Sequence, residues 1–297
     1  MNFKIKKVMM KKMILAVLAL GIFATSCSSD DDNTAPTNSN LTLNLNGLEA
    51  LGSDFVYEGW IIVNGSPVST GVFTSVTFPQ TFSVNTVQLN NAEAFVLSIE
   101  PLMDSDPAPA ATKVLRGEFS GNAAAVTTDL VGDFTNASGQ FFLRTPTDET
   151  GTNNMNDEYG VWYGTPGMPP APNFVLPTLP EGWAYEGWVV GETGPLTTGT
   201  FTNFNTVDNA APFSGTAQSG PPVPGEDFFM NAPTGETFPL DIRGRTVVIS
   251  VEPVPDDSPA PFAMKPLLGV AGNETAPAVH AFDLNLGSLP TGTVTRN

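Results

Sequence analysis

From Phe55 to Ile62 the residues divide into two alternating sets, Phe55, Tyr57, Gly59 and Ile61 against Val56, Glu58, Trp60 and Ile62. A period of two predicts a β-strand, and aromatic residues on both faces suit a central strand of a packed sandwich. Asn64-Gly65 follows, and both residues tolerate the positive φ of a tight reversal. A second alternation sets Phe95, Leu97 and Ile99 against Val96, Ser98 and Glu100, and Val247, Ile249 and Val251 mirror it. Pro101 and Pro253 end these strands, because proline has no N–H to give to a ladder. Gly139 to Arg144 and Tyr159 to Tyr163 read as two further strands closing a first unit, with a polar loop from Thr147 to Asp157 between them. The only strongly helical pattern is at the N-terminus.

That N-terminal stretch carries Lys4, Lys6, Lys7, Lys11 and Lys12 and then runs apolar from Met13 through Ala24. It has the charged and apolar regions of a secretory signal and falls short of the roughly 20 apolar residues that a spanning helix needs. Ala24 and Ser26 sit three and one positions before Cys27, the sole cysteine, so Phe-Ala-Thr-Ser-Cys resembles a bacterial lipobox. The resemblance implies cleavage before Cys27, diacylglycerol on its thiol and acylation of the new amine. Two or more acyl chains anchor stably, at about 0.8 kcal/mol per buried CH₂. An ordinary signal peptide with a stray cysteine is the alternative. Ser28-Ser29-Asp30-Asp31-Asp32 and the polar stretch to Asn40 read as a solvated tether. An acidic run after a lipidated cysteine also resembles the surface-export signal of some Gram-negative lipoproteins. The expected location is the cell envelope, at the outer membrane.

The chain repeats itself. Tyr57-Glu58-Gly59-Trp60 recurs as Tyr185-Glu186-Gly187-Trp188, and Pro67 to Thr74 recurs as Pro195 to Thr202, both at an offset of 128. Val96 to Pro101 recurs as Val248 to Pro253 at an offset of 152, followed in both by an acidic Pro-Ala-Pro segment. The change of offset places 24 additional residues between Phe204 and Arg245. These patterns predict an all-β fold of two tandem β-sandwich-like domains after a signal peptide and a disordered tether. The expected boundaries are 1–26 for the signal, 27–40 for the tether, 41–165 for the first repeat, 166–173 for a Pro/Gly linker and 174–297 for the second repeat.

Charge narrows the function classes. Five of the 12 Lys and Arg residues precede Cys27, which leaves seven against 30 Asp and Glu and a formal charge of −23 on the mature chain. A surface for nucleic acid is not expected on such a chain. A single cysteine forms neither a disulfide framework nor a thiolate metal site.

The order Tyr-Glu-Gly-Trp, then Pro-Val-Ser-Thr-Gly-Val-Phe-Thr, then Leu-Ser-Ile-Glu-Pro with an acidic Pro-Ala-Pro segment resembles the extracytoplasmic domain of anti-sigma-K factors. Residues 55–119 and 183–272 each carry the resemblance. It implies an all-β sandwich on the outer side of a membrane. Members of that family also carry a cytoplasmic helical domain that grips the sigma factor and a transmembrane helix. Neither is recognisable here, so the lipid on Cys27 is the expected attachment.

No catalytic set converges. His280 is the sole histidine and no Gly-x-Ser-x-Gly elbow accompanies it, so a structural role is expected. Glu100 and Glu252, repeated at strand ends, are the carboxylates best placed for a role, although a glycosidase pair is ordinarily unique rather than duplicated. Asp104, Ser105 and Asp106, with Asp256, Asp257 and Ser258, offer oxygen ligands of the kind Ca²⁺ takes, but neither segment has the glycine and distal Glu of an EF-hand. The expectation is an acidic, soluble loop with no metal and no cofactor. Trp60 and Trp188 lie in apolar strands and are expected in the core, whereas Trp162 and Trp183, nearer loops, are the expected surface rings for a sugar. The reading is a non-enzymatic envelope lipoprotein that binds an unidentified protein or glycan or organises the envelope. The alternatives are a sensory partner in envelope signalling and a carbohydrate-binding surface protein.

Overall fold

A computed structural model describes residues 37–148, 156–214, 220–256 and 258–297. The expected signal, Cys27 and the expected tether up to residue 36 lie outside the described residues. The fold is all-β. In chain order the strands are β1 (Asn38–Asn46), β2 (Phe55–Val63), β3 (Ser66–Phe73), β4 (Gln80–Asn85), β5 (Ala92–Pro101), β6 (Lys113–Ser120) and β7 (Ala123–Val126). They continue as β8 (Gln140–Leu143), β9 (Gly160–Tyr163), β10 (Trp183–Val190), β11 (Pro195–Phe201), β12 (Gly225–Asp227) and β13 (Thr246–Pro253). The last are β14 (Leu267–Val270), β15 (His280–Ala281), β16 (Asp283–Leu284) and β17 (Thr291–Arg296). A single-turn helix, α1 (Thr86–Asn90), follows β4, and the Asn85 side chain caps it by accepting from the N–H groups of Val87 and Gln88.

The first sheet runs β3-β2-β5-β6-β7-β17-β1-β4. It curls back on itself, because the Phe73 and Phe82 rings of its two end strands lie 5.7 Å apart. Leu41, Leu43 and Leu45 of β1 then face Tyr57, Ile61, Phe95 and Leu97 in one core. The second sandwich pairs a five-stranded sheet, β11-β10-β13-β14-β16, with a four-stranded sheet, β12-β9-β8-β15. Tyr163 of β9 reaches across and its hydroxyl shares a hydrogen bond with the Thr198 hydroxyl of β11 at 3.0 Å. The two cores merge into one continuous apolar cluster.

Two local devices, a bulge beside a strand glycine and a tyrosine bonded eight residues upstream, appear in both sandwiches, and a tight asparagine–glycine reversal appears in the first. Asn64 and Gly65 take φ of 51° and 73°, as the β2–β3 reversal requires. The β2–β3 pair bulges after Gly59 and the β10–β11 pair after Gly187. The partner glycines opposite, Gly71 and Gly199, hold φ of 120° and 107°, which only glycine adopts without strain. The Tyr57 hydroxyl donates to the Glu49 carbonyl at 2.9 Å, and the Tyr185 hydroxyl donates to the Pro177 carbonyl at 2.6 Å, eight residues upstream in each case. Each phenol thereby ties a buried strand to the segment that leads into it.

Several boundaries differ from expectation. β1 begins at Asn38, inside the stretch 27–40 expected as a tether, because residues 38–40 pair with β4. β8 and β9 do not close the first unit; they pair with β15 and β12 in the second sandwich. The C-terminal strand β17 does not belong to the second sandwich; it lies in the first, between β1 and β7. The first sandwich is therefore β1 to β7 with β17, and the second is β8 to β16. The Pro/Gly stretch 166–173 joins β9 to β10 within the second sandwich and separates no domains. Adjacency in sequence misleads here because antiparallel pairing is decided by which strand completes a ladder.

Candidate functional site

The outward face of β2 and β5 carries Val56, Glu58 and Trp60 opposite Glu100, Ser98 and Val96. Trp60 is only 3% exposed, and its indole N–H donates to the Ser98 hydroxyl oxygen at 2.8 Å. Ser98 donates in turn to Glu100, whose Oε1 also accepts the Ala110 N–H at 2.8 Å. Glu58 accepts from the Ser69 hydroxyl of β3. The acidic loop after Pro101 folds over this face, so Glu58, Trp60, Glu100, Asp104 and Asp106 line one cavity of about 360 Å³.

The second sandwich repeats the arrangement bond for bond. The Trp188 N–H donates to Ser250 at 2.8 Å, Ser250 donates to Glu252, and Thr197 donates to Glu186. Glu252 accepts the Phe262 N–H at 2.9 and 3.1 Å through its two oxygens. Asp104 accepts the N–H of Asp106, and Asp256 that of Ser258. Glu186, Glu252 and Asp256 converge so closely that one oxygen from each lies within 4.8 Å of the others.

Burial acts strongly on these carboxyls. It pushes Glu252 up to about 8 and Glu186 up to about 7, with added repulsion from Asp256. Glu100 is raised as well, by burial and then by the neighbouring charges of Glu58 and Asp104, against the opposing hydrogen bonds from Ser98 and Ala110. One oxygen of Glu100, Oε2, is enclosed without any hydrogen-bond partner.

Of the residues singled out from sequence, the structure brings Glu100 together with Asp104 and Glu252 together with Asp256. It adds Glu58 and Glu186, which sequence reasoning treated only as motif letters. Their signal was available, since each alternates in phase with the strand tryptophan and so shares its face. Trp60 and Trp188 are buried as expected. Trp162 and Trp183 are buried too, each 3% exposed, so the expectation of solvent-facing rings fails for both. The Trp162 N–H bonds to the Arg144 carbonyl at 3.0 Å and to Asp227 at 3.2 Å, and its ring abuts Gly220 of the additional segment in the second half. Trp183 packs against Phe262 at 6.0 Å. His280 uses both ring nitrogens structurally: Nδ1 accepts the Gly272 N–H at 3.2 Å and Nε2 lies 2.9 Å from the Glu274 carbonyl.

A separate carboxylate group is entirely enclosed. Glu226 accepts from Ser214 and from the N–H groups of Phe213 and Asp227. Asp227 accepts from Thr147 and from Trp162. Burial raises Glu226 to about 7 and the nearby Asp208 to about 6. These groups pin the additional segment onto β9 and β12.

The first copy of the tryptophan–serine–glutamate face has a recognisable parallel. Residues 18–114 match the family model described as anti-sigma-K factor rskA, C-terminal. The matched span includes β1 to β5, with Glu58, Glu100 and Asp104, and ends at the start of β6. No curated protein and no solved structure matches the chain. Among the described residues, no helix is long and apolar enough to cross a membrane.

Proposed function

We propose that the chain is a lipid-anchored envelope protein, built from two copies of an anti-sigma-K-like extracytoplasmic unit, that works by binding rather than by catalysis. The observation that carries this reading is the family match on the first unit, joined to the recurrence of its hydrogen bonds in the second. Tyr57 to Glu49, Trp60 to Ser98 and Ser98 to Glu100 each have a counterpart 128 to 152 residues on. On this reading one copy is β1 to β8, the other is β9 to β17, and each lends its last strand to the other's sandwich. The two tails support the assignment. Ala123-x-Ala125-Val126 with Asp129-Leu130 recurs as Ala276-x-Ala278-Val279 with Asp283-Leu284, and Gly139 to Arg144 corresponds to Gly292 to Arg296.

A sensory role in envelope signalling is the second reading, and the matched family favours it. The carbohydrate reading loses its main support, because all four tryptophans are 2–3% exposed. Membrane fractionation of Cys27→Ser tests the anchor: the variant should move from the membrane to the soluble fraction, and a variant that stays membrane-bound overturns it. Cross-linking of the mature protein in intact envelopes, with a glycan array beside it, tests binding. A specific envelope protein is the expected product, and no cross-link together with no bound glycan overturns the binding role.

A further inference from the structure

We infer that each repeated carboxylate cluster is a Ca²⁺ site, formed by Glu58, Glu100 and Asp104 in the first sandwich and by Glu186, Glu252 and Asp256 in the second. In each cluster, two glutamates come from neighbouring central strands and the aspartate comes from the loop that covers them. The three carboxylates of the second cluster, gathered this closely, repel one another unless a proton or a cation intervenes, and those of the first share one cavity. In the second cluster the oxygens fall within 4.8 Å of one another. Two oxygens each about 2.4 Å from a shared Ca²⁺ span at most about 4.8 Å, so the spacing suits that ion. All the donors are oxygen, with no histidine or cysteine among them, which suits a hard cation rather than zinc.

The first cluster adds an independent sign. Glu100 is 1% exposed, yet its Oε2 has no hydrogen-bond partner although the residue lines the cavity with Glu58 and Asp104. Burying a carboxylate oxygen unpaired is costly, and a cation in the cavity removes that cost. The Ser98 hydroxyl and the Ala110 N–H hold the other oxygen, so the side chain is fixed and the enclosed Oε2 is left with unused lone pairs. Asp104 and Asp256 are exposed on their loops, and the remaining positions around each ion are left to water. A bound ion would clamp the loop to the sheet and order the Pro-Ala-Pro segment.

The test uses the full chain in detergent after removal of divalent ions. Tb³⁺, a Ca²⁺ mimic, should give luminescence sensitised by Trp60 and Trp188, displaced by CaCl₂ and far less by MgCl₂. Ca²⁺ should raise the melting temperature, with affinity of about 10⁻⁴ to 10⁻³ M as in extracellular modules, and saturate at two ions per chain. Asp104→Asn and Asp256→Asn should each remove one ion, and the double variant both. These side chains are exposed, so the fold should survive; Glu100→Gln and Glu252→Gln, checked by circular dichroism, provide the buried counterparts. Absence of Tb³⁺ luminescence and of any Ca²⁺ shift up to about 10 mM, some tenfold above that range, overturns the proposal. Unchanged binding in the double variant Asp104→Asn/Asp256→Asn overturns it equally.

Discussion

Removing the last seven residues, 291–297, should unfold the sandwich at the opposite end of the sequence. β17 aligns six residue pairs with β1 and four with β7, so its loss strips both neighbours of a ladder partner. Val294 is fully buried in the shared core, and burial of a valine contributes about 1.5–3 kcal/mol. Arg296 donates to the carbonyls of Leu89, Asn90, Ala92 and Gly121 at 2.8–3.2 Å and sits 4.6 Å over the Phe119 ring. Hydrogen bonds from a charged donor contribute about 1.5–3 kcal/mol, and neutral ladder bonds about 1 kcal/mol each. Together these gross contributions exceed about 10 kcal/mol before the entropy of ordering the strand is set against them, at least the whole stability of an ordinary domain. Hydrogen exchange resolved by peptide is the assay. Protection should collapse in β2 and β5, with Val294→Ala and Arg296→Ala giving graded losses of about 2–3 kcal/mol in the same peptides. Loss of protection in β10 and β13 while β2 and β5 stay protected would refute the exchanged-strand arrangement.

Other expectations follow from single side chains. Folding raises the Glu226 carboxyl from 4.5 to about 7, so the native chain holds a proton that the unfolded chain releases across that window. Its contribution is full below about 4.5 and is lost as pH rises through about 7, on the order of 3 kcal/mol. Glu226→Gln should therefore gain in melting temperature relative to the parent from about pH 5 to about pH 8, and a constant difference would contradict the assignment. Tyr57→Phe and Tyr185→Phe each lose one buried hydrogen bond and should cost about 1 kcal/mol in urea denaturation, the two adding within about 0.5 kcal/mol. A Cβ at Gly187 would lie 2.2 Å from the Tyr163 hydroxyl and 2.3 Å from the Thr198 hydroxyl oxygen. Gly187→Ala should accordingly destabilise by about 1–3 kcal/mol in the same measurement, and a neutral result would contradict the packing.

The central strands were legible because their alternation is local. Phe55 to Ile62 and Phe95 to Glu100 declare both faces without help from distant residues, and Pro101 and Pro253 mark where they end. Sheet membership was not legible in the same way. Nothing inside Gly139 to Arg144 says whether it pairs with β7 or with β15, because pairing depends on which ladder lacks a neighbour. The recurrence at 276–296 of the pattern at 123–144 was the available clue, and it lies in weakly similar tails rather than in the conspicuous motifs. The carboxylate clusters were half visible. Glu100, Glu252, Asp104 and Asp256 stood out by repetition, whereas Glu58 and Glu186 join them only when β2 is laid beside β5 and β10 beside β13. Trp162 and Trp183 misled because proximity to a loop in sequence is not exposure; the additional segment covers Trp162, and Phe262 packs on Trp183.

The place of β17 also decides how the molecule carries a load. Its last residues meet the first strand directly, with the Asn297 N–H on the Asn40 carbonyl at 3.0 Å. The two ends of the folded body thus emerge side by side, and the second sandwich hangs from the first by two chain crossings, β7 to β8 and β16 to β17. A pull on that sandwich, resisted at the N-terminal end, divides between two covalent spans in parallel, where beads on a string would transmit it through one. An epitope fused after Asn297 would report from the side on which the chain enters the fold, and a reporter for the distal face belongs in a loop of the second sandwich.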